Sequence, residues 1–202
     1  LTLPGGANIG APAAATADNW TGVGTGNVTT STNWSLGTVP TITNDAVFTS
    51  TSAAGIKNFG TGATVGAPLT VGSFDVTATS GTYSIRNATT SATNATLTLG
   101  GAGNLGNGVS GTAADLLFVA SGATFQLLGD NPNGTGVLNV ILGQSGNFDA
   151  AGTMIISSVI SGSGFGFTKT GAGALTLNGA NTYSGGTTIN AGTINLGNAS
   201  AL

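Results

Sequence analysis

The chain has 202 residues, of which 4% are charged: six Asp, two Lys and one Arg, with no Glu, His or Cys and a net charge of −3. Such a composition excludes thiol and imidazole chemistry, so thiolate metal sites, Cys nucleophiles and a Ser-His-Asp triad are all ruled out. Three cations cannot form a phosphate-binding patch, which removes nucleic acid as a partner, while 40% hydrophobic residues suffice for a folded core.

Taken in order, residues 1–17 read as a flexible Gly/Ala/Pro arm that starts with a short strand, Leu1-Thr2-Leu3. Leu1 stands where a Met would open a precursor, and no basic, apolar leader follows, so the start is read as already processed. Residues 18–60 hold both tryptophans, Trp20 and Trp34, and the segment Asn44-Asp45-Ala46-Val47-Phe48. Large aromatics there suit either a cap over an open core or an ordinary core cluster.

From 61 to 202 the pattern is one of short Gly-bounded strands with alternating apolar positions. The clearest are Gly72–Val76, Gly81–Ile85, Gly122–Leu127, Gly136–Leu142, Gly173–Leu177 and Gly192–Leu196. The apolar runs Leu116–Ala120 and Met154–Ile160 are strand-sized, far below the ~18 residues of a membrane-spanning helix. Good helix formers with charged faces hardly occur, whereas Thr, Val, Ile and Gly dominate.

One phrase recurs: Leu1-Thr2-Leu3-Pro4-Gly5-Gly6-Ala7-Asn8, Leu97-Thr98-Leu99-Gly100-Gly101-Ala102-Gly103-Asn104 and Leu175-Thr176-Leu177-Asn178-Gly179-Ala180-Asn181. A repeated strand and Gly-rich corner suits an all-β fold of β-solenoid type, in which each coil buries its inward residues against its neighbours. Thr and Asn would then stack on the outer faces.

Further along stand Ile160-Ser161-Gly162-Ser163-Gly164, Phe167-Thr168-Lys169-Thr170-Gly171-Ala172-Gly173 and Leu175-Thr176-Leu177. Gly179-Ala180-Asn181-Thr182-Tyr183-Ser184-Gly185-Gly186-Thr187-Thr188-Ile189, Ala191-Gly192-Thr193-Ile194 and Leu196-Gly197-Asn198 continue the run. This region resembles the autotransporter-associated β-strand repeat of bacterial surface proteins. The resemblance implies a right-handed parallel β-helix, export to the cell surface or beyond, and no catalytic machinery. Members usually carry many repeats and often a C-terminal outer-membrane barrel; one clear repeat is present here.

Candidate sites are few. Asp130-Asn131-Pro132-Asn133-Gly134 lacks the further carboxylates of a calcium loop and reads as a turn, so no metal or cofactor is expected. The carboxylates are scattered along the chain, and an enzyme is not expected unless Asp75, Asp115, Asp130 or Asp149 meet in a groove. Lys57 and Lys169 read as solvated side chains. Little in the composition titrates between ~pH 5 and 9, so stability is expected to vary weakly there.

A strand at one end (Leu1, Thr2, Leu3) and an uncapped last coil at the other (Ile194, Leu196, Leu202) suggest head-to-tail strand addition between copies of the chain. The first expectation is thus an extracellular structural protein that polymerises with itself, without membrane insertion. The alternative is an adhesin passenger segment that meets glycans or surfaces. In the first case the shortage of charged gatekeepers favours assembly.

Overall fold

The computed structural model describes residues 16–22, 28–41, 44–52, 54–59, 68–87, 92–100, 115–129 and 135–202. It is a parallel β-helix. In chain order the strands are β1 (Thr16–Asn19), β2 (Asn44–Phe48), β3 (Gly55–Phe59), β4 (Leu69–Val71), β5 (Ser73–Val76) and β6 (Thr82–Asn87). They continue as β7 (Ala95–Leu99), β8 (Asp115–Val119), β9 (Thr124–Leu128), β10 (Leu138–Leu142), β11 (Gly146–Ala150) and β12 (Thr153–Ile156). The last are β13 (Val159–Ser161), β14 (Phe167–Thr170), β15 (Ala174–Leu177), β16 (Thr187–Ile189) and β17 (Thr193–Leu196), and a short 3-10 turn spans Ser31–Asn33.

Three sheets form the walls. Sheet A runs β1-β2-β5-β8-β11-β14-β16, sheet B β3-β6-β9-β12-β15-β17, and sheet C β4-β7-β10-β13. From β2 to β15 the chain visits A, B and C in turn, then passes directly from β15 in sheet B to β16 in sheet A and β17 in sheet B; neighbouring strands in every sheet are parallel. Alternation along each strand then sorts the side chains. Inward positions align as columns: Tyr83, Phe125, Met154, Leu175 and Ile194 in sheet B, and Leu69, Leu97, Val140 and Ile160 in sheet C. Outward positions form polar ladders such as Thr70–Thr98 and Thr176–Asn195. One continuous core results, and nearly all of its members are fully buried.

The coils are unequal. In sheet A, register partners lie 28 residues apart at Ala46 and Phe74, 43 apart at Phe74 and Leu117, and 31 apart at Leu117 and Phe148. The step then falls to 21 between Gly146 and Phe167 and to 20 between Phe167 and Thr187.

Two expectations need correction. Met154–Ile160 is not one strand: it turns a corner at Ser157-Ser158, with β12 in sheet B and β13 in sheet C. The recurring Leu-Thr-Leu phrase marks no fixed place in the coil, because Leu97-Thr98-Leu99 lies in sheet C and Leu175-Thr176-Leu177 in sheet B. Apolar-Thr-apolar suits any wall of such a helix, since each wall has one buried and one wet side. Leu1, Thr2 and Leu3 lie outside the described residues.

Candidate functional site

At the N-terminal end, β1 is hydrogen-bonded beside β2, and the segment after it folds over the core. Asp18, inward and fully buried, accepts from Ser35 Oγ at 3.1 Å and from the Leu36 amide at 2.9 Å. Trp34 Nε1 donates to the Val28 carbonyl at 2.8 Å, and Trp20 meets Trp34 edge-on with centroids 5.2 Å apart. Phe48 and Phe74 continue the stack, so the aromatic cluster closes this end of the core.

Lys57 is buried inside that cluster, against expectation. Its Nζ donates to the Gly55 carbonyl at 3.3 Å and lies 5.6–5.9 Å from the ring centroids of Trp20, Phe48 and Tyr83. Burial pushes its pKa down to about 8. Lys169 is also buried, which corrects the second lysine expectation. Its Nζ donates to the carbonyls of Gly171 (2.7 Å), Ala191 (3.3 Å), Ala150 (3.4 Å) and Thr170. Those carbonyls belong to the A-to-B corner of three successive coils, so a single ammonium ties the corners together. Burial lowers its pKa, and Asp149 opposes that shift.

The carboxylates are not scattered in space. Asp45, Asp75, Asp115 and Asp149 all lie on strands of sheet A, and electrostatic repulsion couples each to the next. Ser73 Oγ bridges two of them, at 2.8 Å from Asp45 and 3.0 Å from Asp75, while Asn147 Nδ2 donates to Asp115 at 3.1 Å. Asp75 is fully buried, and its Oδ1 has no hydrogen-bond partner among the described residues. Burial first, then the Asp45 charge, raises its pKa well above the usual carboxylate range; Ser73 opposes this and Asp115 adds to it. Asp45 and Asp149 are raised too, mainly by burial.

A groove acid needs surface to meet a substrate, and Asp45, Asp75 and Asp115 expose 2% or less. Among the described residues no group of three ligating side chains is placed to hold a metal. Asp130, Asn131 and Asn133 lie outside the described residues.

The last coil carries several exposed apolar side chains. Ile194 and Leu196 continue the inward columns of sheet B, yet Ile194 is only partly buried and Leu196 is 54% exposed. Ile189 and Leu202 are exposed as well.

Residues 167–196 match the family described as Passenger-associated-transport-repeat. The adhesin BmaC autotransporter of Brucella suis biovar 1 (strain 1330) is 41% identical over 111 residues, a stretch that covers 51% of this chain and 3% of the adhesin. No solved structure matches. The chain therefore carries an autotransporter-associated repeat, as its sequence suggested, and the repeat contains the shortest sheet A coil, from Phe167 to Thr187.

Proposed function

We propose that this chain, a parallel β-helix ending in a passenger-type repeat, is a segment of an autotransporter adhesin passenger, exported by a bacterium and carried at its surface or released. The relative's identity over half of the chain carries this reading, and it favours the passenger over a filament subunit. Its role is mechanical and adhesive rather than catalytic: a stiff rod whose polar outer ladders meet other surfaces. The burial of Asp45, Asp75 and Asp115 supports the non-catalytic part. No cofactor takes part.

The test uses the natural polypeptide in its own cells. An epitope tag placed at the exposed turn Ser163-Gly164 should be reached by antibody on intact cells. In-frame removal of the segment should lower adherence to host cells or matrix-coated surfaces. A tag seen only after lysis, or adherence unchanged by the removal, overturns the reading.

A further inference from the structure

At the C-to-A corner, three consecutive coils stack Ser145-Gly146-Asn147, Gly166-Phe167-Thr168 and Gly185-Gly186 with Thr188 around a trough of about 310 Å3. Two of its glycines leave no room for a side chain. A Cβ on Gly166 would lie 2.1 Å from the Gly186 carbonyl oxygen, and one on Gly185 would lie 2.3 Å from the Phe165 carbonyl carbon. Gly166 N donates to Ser145 Oγ at 3.1 Å, Gly185 N to the Phe165 carbonyl at 2.8 Å, and Phe167 N to the Gly186 carbonyl at 3.2 Å. Those amides are spent within the stack, which leaves recognition to side chains. Beneath it, Phe148 and Phe167 stack with centroids 4.2 Å apart, so the floor is stiff.

Asn147, Thr168 and Thr188 are register partners on the outer face of sheet A, one per coil. Adjacent strands lie ~4.8 Å apart, so this column repeats at a fixed short interval along the helix axis. The lining holds no ionisable side chain. The nearby Asp115 is fully buried and accepts from Asn147 Nδ2, which fixes that amide. A charged ligand finds no opposite charge here, and an apolar one would strand hydroxyls and an amide. The Thr hydroxyl both donates and accepts, and its methyl offers a small apolar contact beside it. Phe165, next to Gly166 and 37% exposed, adds an aromatic surface nearby.

We propose that this trough binds a neutral saccharide chain laid along the helix axis, with Thr168 and Thr188 as the specificity-determining hydroxyls and Asn147 as a fixed amide. The proposal rests on the adhesin reading and gives that reading a ligand class. Each coil supplies few contacts, so affinity for one site is weak and display in many copies supplies the strength.

The experiment applies the purified 202-residue chain to an array of neutral, sialylated and sulfated oligosaccharides, then titrates a bound neutral oligosaccharide by NMR. Neutral saccharides should bind, with shift changes at residues 145–147, 166–168 and 185–188. Thr168→Val with Thr188→Val should weaken binding at least tenfold, while Thr176→Val on sheet B leaves it unchanged. Binding of anionic glycans only, binding of no saccharide, or shifts located elsewhere overturns the proposal; the shift map decides even if the double variant fails to fold. On whole cells, adherence that survives the double substitution but is lost with the segment overturns the trough and leaves the adhesin reading standing. Adherence that survives both overturns the adhesin reading itself.

Discussion

Lys57 stands at the foot of an inward column that continues as Ile85, Leu127, Ile156, Leu177 and Leu196. Its folded-state pKa of about 8 lies below the 10.5 of a free lysine, so the folded protein sheds a proton that the unfolded chain keeps. Stability should accordingly rise as pH climbs from about 8 to 10.5. Lys57→Leu, which completes the apolar column, should reduce that rise in urea melts at graded pH and leave the part that the buried Lys169 contributes. Asp75 has the opposite sign. With its pKa raised well above 3.8, the folded state holds a proton that the unfolded chain releases, so stability is full below ~pH 4 and declines as pH rises through the folded value. Asp75→Asn supplies a permanent proton donor in that place and should flatten the decline, as read from melting temperature between pH 4 and 8. Against the weak pH dependence expected from composition stands the burial of most of the described ionisable groups. The sequence showed how many there are and gave no sign of where they point.

At the scale of the strand and its corner, a left-handed glycine carries four of the turns from sheet A to sheet B. Gly81, Gly122, Gly171 and Gly192 all have positive φ, between 71° and 90°. At Gly122 (φ +87°) an added Cβ would also lie 2.3 Å from the Thr79 carbonyl oxygen of the coil below, whereas at Gly164 (φ +78°) it would meet nothing within 4 Å. Gly122→Ala should therefore cost more than Gly164→Ala: about 3 kcal/mol against about 1 kcal/mol, the difference being steric. Paired denaturant titrations measure it, and equal costs would mean that the corners relax freely.

The strands beside these glycines were legible. Gly81–Ile85, Gly122–Leu127 and Gly192–Leu196 contain the starts of β6, β9 and β17, because alternation and a Gly boundary are both local signals. Which sheet a strand joins was not legible. It depends on how many residues the preceding coil spends in its loops, and the whole coil varies from 20 to 43 residues. For the same reason the meeting of Asp45, Asp75, Asp115 and Asp149 was hidden: their spacing follows the uneven coil length. The Asn147–Thr168–Thr188 trough lies within the even coils, where a fixed 20- or 21-residue step does reveal stacked partners.

Across the whole molecule the two ends differ in kind. Trp20, Trp34 and Phe48 close one end, while the narrowest coils lie toward the other. The gradation of coil length between them bears on the order of events in folding. Bringing two strands into register closes a loop, and the entropy cost grows with its length, by about 0.6 kcal/mol per doubling. A coil of 20 or 21 residues thus pairs at lower cost than one of 43, and contacts of short sequence separation form sooner. The coils from β11 to β15 should act as the nucleus, with the wider coils between β5 and β8 added onto that template. In pulsed hydrogen exchange during refolding, amides of residues 146–177 should gain protection before those of 73–119. Simultaneous protection would mean that the coil stack forms in one concerted step. The shortening of the coils therefore gives the rod a direction in time as well as in space: it is built from the narrow-looped end toward the tryptophan cap.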